Sequence, residues 1–224
     1  MEKAKFLAKA VLSTLTFSII LFISAGRINY FQGWIFLATN LLAAVMNFLA
    51  IRDDSELINE RSKVGEGTKS WDKLILALSA LTYLITIVVA GLDSGRYRWS
   101  PDFHWSIYVS GIALTLFGQV IFLKARRENK FFSSTVRIQK DRGHQVCDTG
   151  IYKTVRHPGY SGMMISLIGL PLLVGSLFSG LPTLIAIILL LIRTYLEDET
   201  LKKELPGYNE YARRTQQRLI PRIW

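Results

Sequence analysis

The chain has 224 residues, half of them hydrophobic and only 20% charged, with a mean hydropathy of +0.27. Soluble domains carry about 25% charged residues, and disordered chains carry far less apolar weight. The apolar residues fall in long uncharged blocks, which excludes both classes and leaves a multispanning membrane protein. The net charge of +10 then reads as basic flanks that set topology, not as a nucleic-acid surface. A single cysteine, Cys147, excludes an intramolecular disulfide framework and a multi-cysteine metal site. His104, His144 and His157 lie far apart without metal-ligand spacing, so no metal is expected.

Four blocks in chain order supply the roughly 20 apolar residues that a helix needs to cross a bilayer core of about 30 Å. They are Leu7–Ser24, Gly33–Ile51, Leu74–Leu92 and Trp105–Leu123. The first has a basic flank but no clear small-residue cleavage site, and more spans follow, so it reads as a retained helix and not as a signal peptide. Ser161–Ile192 carries no charge at all. As one helix it would reach about 48 Å, too long for the membrane. Gly175-Ser176 and Ser179-Gly180-Leu181-Pro182 interrupt its middle, which predicts two shorter helices joined by a tight turn. The fold expected is an all-α integral membrane protein: four spanning helices, then a C-terminal helical hairpin.

With the N-terminus in the cytosol, all lysines and arginines except Arg27, Arg96 and Arg98 fall on the cytosolic side. This bias predicts cytosolic N- and C-termini. No internal repeat and no linker composition is evident, so 1–224 reads as one integral domain. Within it, 1–124 holds the N-terminal spans and 125–224 the polar connector, hairpin and tail.

The hairpin brings two motifs together at the membrane surface. In Arg156-His157-Pro158-Gly159-Tyr160-Ser161-Gly162, proline at the first helical turn places His157 near the N-cap. Free amides there suit a ligand carboxylate; the alternative is an ordinary interfacial helix start with Arg156 among lipid phosphates. In Arg193-Thr194-Tyr195-Leu196-Glu197-Asp198-Glu199, Arg193 and Glu197 share a helix face at i, i+4. Either they pair at a solvated helix end, or Glu197 receives a ligand ammonium and Arg193 an acidic group. Tyr208, Tyr211 and Trp224 read as an interfacial belt, and Arg126-Arg127 as lipid-headgroup contacts. Gly65-Glu66-Gly67-Thr68-Lys69-Ser70 lacks the Gly-Lys adjacency of a phosphate loop and is discounted.

From about Gln139 to Trp224 the sequence resembles the isoprenylcysteine carboxyl methyltransferase family, which is related to the membrane phospholipid methyltransferases. The residues that carry the likeness are His144-Gln145-Val146-Cys147-Asp148-Thr149-Gly150-Ile151-Tyr152 and Arg156 to Gly162. The Arg193-to-Glu197 step with Asp198-Glu199-Thr200-Leu201, Pro206-Gly207-Tyr208-Asn209-Glu210-Tyr211, and Ile220-Pro221-Arg222 complete it. The resemblance implies a transferase that uses S-adenosylmethionine, with a cofactor pocket open to the cytosol. By motif position His144, Gln145, Val146, Cys147, Tyr152, His157, Pro158, Gly159 and Tyr160 would line it. Glu197 would contact the cofactor, with Gln139 as a further contact. Arg193 would be the catalytic and substrate-binding residue, orienting the methyl acceptor. Asp198 departs from the usual double-glutamate form, a change the shorter acid could accommodate.

The acceptor implied is lipidic, the carboxylate of an isoprenylated cysteine or similar, entering from the membrane lipids. Two rivals remain at this level. A phospholipid amine N-methyltransferase would need a base such as His157. A transporter or assembly protein should show ionisable residues inside its spans, whereas the centres here offer only Asn40, Asn47 and Gln119.

Overall fold

The computed structural model describes residues 2–52 and 67–224, all helix, turn or coil with no strand among them. Among the described residues seven α-helices follow in order: α1 (Glu2–Ala25), α2 (Phe31–Ile51), α3 (Ser70–Ala90), α4 (Trp105–Glu128), α5 (Pro158–Val174), α6 (Gly180–Glu204) and the short α7 (Tyr208–Arg214). A π-helical stretch, Gly91–Tyr97, prolongs α3. Among the described residues five helices are long and apolar enough to cross a bilayer, and α5 is a shorter apolar helix. This is an all-α integral membrane architecture. Arg61, Lys63 and the Gly65-Glu66 pair lie outside the described residues.

The helices outrun the apolar blocks read from sequence. α1 begins five residues before Leu7 and α4 ends at Glu128 instead of Leu123. The cause is that lysine, arginine and glutamate are good helix formers and continue a helix past the apolar zone. Leu12, Ile19, Leu42, Leu81, Leu184 and Ile188 point outward and are exposed; in lipid, that outer surface is the solvated one.

The hairpin forms where the breakers stand. α5 ends at Gly175, whose φ of +65° is open to glycine without strain, and its N–H returns to Leu172 O. α6 starts at Gly180. Asp93, fully buried at the far end of α3, holds this turn: it accepts from Ser100 N (2.7 Å), Ser176 Oγ (2.5 Å) and Phe178 N (3.3 Å). Four neutral donor bonds, counting Ser100 Oγ at 2.6 Å, offset the cost of burying that carboxylate.

α4 and α5 lie against one another along glycines. Gly111 and Gly118 are one heptad apart, as are Gly162 and Gly169, so each pair shares a helix face. A Cβ on Gly169 would lie 2.7 Å from Gly111 O, and one on Gly162 would meet Gly118 O. Small residues of this kind allow backbones in a bilayer to approach closely.

Arg126 departs from the expectation of a headgroup contact. It is fully buried, donates from Nη1 to Asn47 Oδ1, and stands 5.6 Å over the Phe6 ring. Arg127 beside it is exposed. The contact joins the start of α1 to the ends of α2 and α4, which therefore share one end of the bundle with the open end of the hairpin.

Candidate functional site

At that open end the chain between α4 and α5 folds over the hairpin arms. Arg156 N–H and His157 N–H donate to Gln217 O and Arg218 O, both at 2.9 Å, pinning the tail beneath α5. His157 is the N-cap residue of α5 and Pro158 its first residue. Tyr160 N–H and Ser161 N–H both return to His157 O. Of the first-turn amides, Gly159 N–H alone is uncommitted among the described residues.

Asp198 is the hub beneath. It is fully buried and accepts from Arg156 Nε (2.7 Å), Arg218 Nε (2.9 Å), Tyr208 Oη (2.9 Å) and Lys202 Nζ (3.0 Å), with His157 Nε2 at 3.3 Å. Arg156 is correspondingly buried. It also donates to the Thr215 and Gln216 carbonyls, so it faces protein and not lipid phosphate. Tyr208 and Tyr211 are buried too, at 4% and 2% exposure, which corrects their reading as an interfacial belt. The Tyr211 hydroxyl donates to Tyr152 O at 2.8 Å.

These contacts enclose a cavity with about 810 Å³ of free space, part of it open to solvent. His144, Gln145, Val146, Cys147 and Tyr152 line one side, and His157, Gly159, Tyr160 and Glu197 the other. Two residues expected there stand behind the wall. Gln139 is fully buried, and its amide is spent on Phe131 O (2.7 Å) and the Arg142 guanidinium (2.5 Å). Pro158 is occupied in starting α5. Asn129, Phe131, Phe132, Tyr208 and Tyr211 line the cavity unforeseen by motif. The i, i+3 spacing of the two tyrosines after Leu205 was the signal available for their burial.

Glu197 is the one carboxylate on this wall among the described residues, and it accepts from Tyr160 Oη at 2.5 Å. Burial pushes the Tyr152, Tyr208 and Tyr211 phenols and the Cys147 thiol up from their ordinary values. Burial, with Arg137 and Arg142 nearby, lowers His144 to about 4. Its Nδ1 accepts from Gln139 N–H at 3.3 Å, which agrees with a neutral ring. The wall is therefore rich in neutral aromatic groups, with Arg137, Arg156 and Glu197 as charged members of its lining.

A second, larger cavity, with about 1580 Å³ of free space, runs between the helices. Leu76, Tyr83, Phe122, Met163, Leu170 and Leu190 make it apolar, and Asn40 and Gln119 face into it. Its polar end is Arg193. Arg193 does not pair with Glu197, as their helix spacing suggested. Asp72 at the start of α3 takes it instead, Nε to Oδ1 at 2.7 Å, and the Tyr160 ring lies 5.3 Å from the guanidinium. Phe132, Ser133 and Tyr160 belong to the walls of both cavities.

Residues 111–203 match the isoprenylcysteine carboxyl methyltransferase family. The resemblance read from the motifs is thus to the same family, over a segment that starts earlier and ends sooner than the motifs suggested. It holds Tyr160, Arg193, Glu197 and Asp198, but neither Asp72 nor the two tyrosines of α7. A rice protein (Oryza sativa subsp. indica) named "Probable protein-S-isoprenylcysteine O-methyltransferase" is 31% identical over 67 residues, 30% of this chain and 35% of its own length. Protein-S-isoprenylcysteine O-methyltransferase B of Arabidopsis thaliana is 25% identical over 145 residues, covering 63% of this chain and 69% of that protein. Protein-S-isoprenylcysteine O-methyltransferase A of the same plant is 28% identical over 98 residues, 43% and 45% of the two chains. The chain thus spans about a third of the rice relative it matches.

Proposed function

We propose that the protein is a membrane O-methyltransferase that uses S-adenosylmethionine to esterify the carboxylate of a prenylated cysteine or similar lipidic acceptor. One observation carries this reading: a polar-mouthed aromatic cavity and an apolar intramembrane cavity meet at Tyr160, Phe132 and Ser133. The family match and the relatives' names support it. The basic-residue bias supports four spans and a hairpin, with both termini and the first cavity on the cytosolic side.

The first cavity suits the cofactor's chemistry. Glu197, engaged by one phenol, can pair with an ammonium. The Gly159 amide is available to a carboxylate at the helix N-terminus. Tyr152 and Tyr160 offer faces to a base or a cation. When bound, the cofactor supplies an electrophilic methyl group on a sulfonium.

The remaining work falls to the chain. Arg193 at the head of the apolar cavity holds the acceptor's anionic end, while Leu76, Met163 and Leu170 bury its tail. A carboxylate is already ionised at pH 7, so no residue need act as base. Alignment of the acceptor with the methyl donor can lower the barrier by about 7–11 kcal/mol. The guanidinium favours a carboxylate over an amine, which separates this reading from a phospholipid amine methyltransferase.

The test is calorimetric titration with S-adenosylmethionine, then methyl transfer to a prenylated cysteine and to phosphatidylethanolamine. Glu197→Ala should abolish cofactor binding and leave the fold intact. Normal binding by that variant refutes the role given to Glu197; transfer to the amine alone refutes the carboxylate acceptor.

A further inference from the structure

Arg193 has more than one possible partner, and its geometry decides between them. Asp72 lies in the first turn of α3, fully buried. Its Oδ1 takes Arg193 Nε at 2.7 Å; its Oδ2 takes Val136 N–H at 2.8 Å and stands 3.4 Å from Arg193 Nη2. Arg193 Nη2 also donates to Ser134 O at 2.9 Å. Two of the three guanidinium nitrogens are therefore spent. Nη1 makes no hydrogen bond among the described residues, and the side chain lines the apolar cavity.

We infer that Asp72 is a positioning residue for the acceptor: it fixes the Arg193 fork so that Nη1 alone faces the anionic end of a lipid carboxylate. The inference rests on the acceptor class proposed above.

Two features of the site depend on this pair. The first is the separation of Arg193 from Glu197. At i, i+4 on one helix these side chains are natural partners, and an Arg193–Glu197 pair would occupy both ligand groups at once. Asp72 draws the guanidinium aside while the Tyr160 hydroxyl takes Glu197. The second is the wall between the cavities. Ser134 and Val136, which bond the pair, immediately follow Phe132 and Ser133, the wall residues common to both cavities. The pair thus anchors the partition as well as the arginine. A planar fork holds its donors on separate nitrogens in fixed directions, whereas a lysine ammonium gathers its three rotatable donors on one atom.

The experiment compares binding of an S-prenylated cysteine and its carboxamide to the full chain in nanodiscs. The wild type should prefer the carboxylate by about tenfold, the worth of one charge-assisted contact. Asp72→Asn keeps the shape and an acceptor for Val136 N–H but loses the charge, and should cut the preference below about twofold. Arg193→Lys, which leaves Asp72 paired, should do the same. A merely structural role would weaken both ligands equally and leave their ratio unchanged. The inference is overturned if the ratio survives in either variant, or if the wild type shows none. Absence of methyl transfer in a wild type that keeps the preference would refute the methyltransferase reading and leave Asp72 its role.

Discussion

Arg156 and Asp198 form a two-point ion pair, Nε to Oδ1 at 2.7 Å and Nη2 to Oδ2 at 3.0 Å. It joins the residue two before α5 to the last turns of α6. Neighbours on a helix point about 100° apart, so anchoring Asp198 in the hub also sets where Glu197 points, into the cavity. The acid that departs from the family's double glutamate is thus a structural anchor, absent from the cavity wall.

Removing that anchor leaves Arg156 buried without its partner. Asp198→Ala should cost about 3–5 kcal/mol, the usual penalty for breaking a buried pair from one side. Glu199→Ala, whose partner Lys202 is 28% exposed, should stay within about 0.5 kcal/mol. Denaturant unfolding in detergent measures both, and equal losses would contradict the hub.

On the proposed reading, a bound ammonium would compete with the Tyr160 hydroxyl for Glu197. Tyr160→Phe removes the competitor while keeping the ring, so S-adenosylhomocysteine, which has the same ammonium, should bind about 3–10-fold tighter. Glu197→Gln should bind it more than about tenfold more weakly. Weaker binding by the phenylalanine variant in calorimetry would show that the hydroxyl serves the ligand directly.

The glycine contact between α4 and α5 leaves no room for a side chain. Gly118→Leu would force a branched group against Gly162 O and Ser166, and should cost at least about 1–3 kcal/mol through overpacking. Gly180→Ala, which meets nothing within 4 Å, should be neutral or stabilising by about 0.4–1 kcal/mol. Thermal melts of the two variants supply the comparison.

His144 gives the protein an acid-sensitive corner. Its value is about 4 in the folded chain against an ordinary 6.5, so between these limits the unfolded chain binds a proton that the folded chain does not. Stability should therefore be full above pH 6.5 and fall as the pH drops toward 4. The ring is partly open to solvent, which limits the loss to about 1–2 kcal/mol. His144→Gln should flatten the wild-type difference in melting temperature between pH 7 and pH 5; an unchanged difference would assign it to other groups.

The hairpin was legible because glycine and proline interrupt an uncharged stretch too long for one span, and that alone predicts His157 and Glu197 side by side. The His144–Cys147 and Tyr152 segment was legible through motif likeness, and it does reach the same cavity. The helix spacing placed Arg193 and Glu197 on one face, either paired or each receiving a ligand group, but the partner Arg193 takes, Asp72, is 121 residues away. An ion pair across that distance leaves no periodic trace. Arg126, Tyr208 and Tyr211 were misjudged for a related reason: an amphipathic residue near a membrane surface has the same sequence setting whether its polar tip meets water or a buried carbonyl. Gln139 fell at a motif position, yet its amide is consumed by Phe131 O and Arg142, which only the folded loop reveals.

Tyr160, Phe132 and Ser133 stand between a vestibule partly open to solvent and an oily one. On the proposed reading, a donor soluble only in water and an acceptor soluble only in hydrocarbon could each stay in its own phase. Only a single carbon would have to cross the boundary.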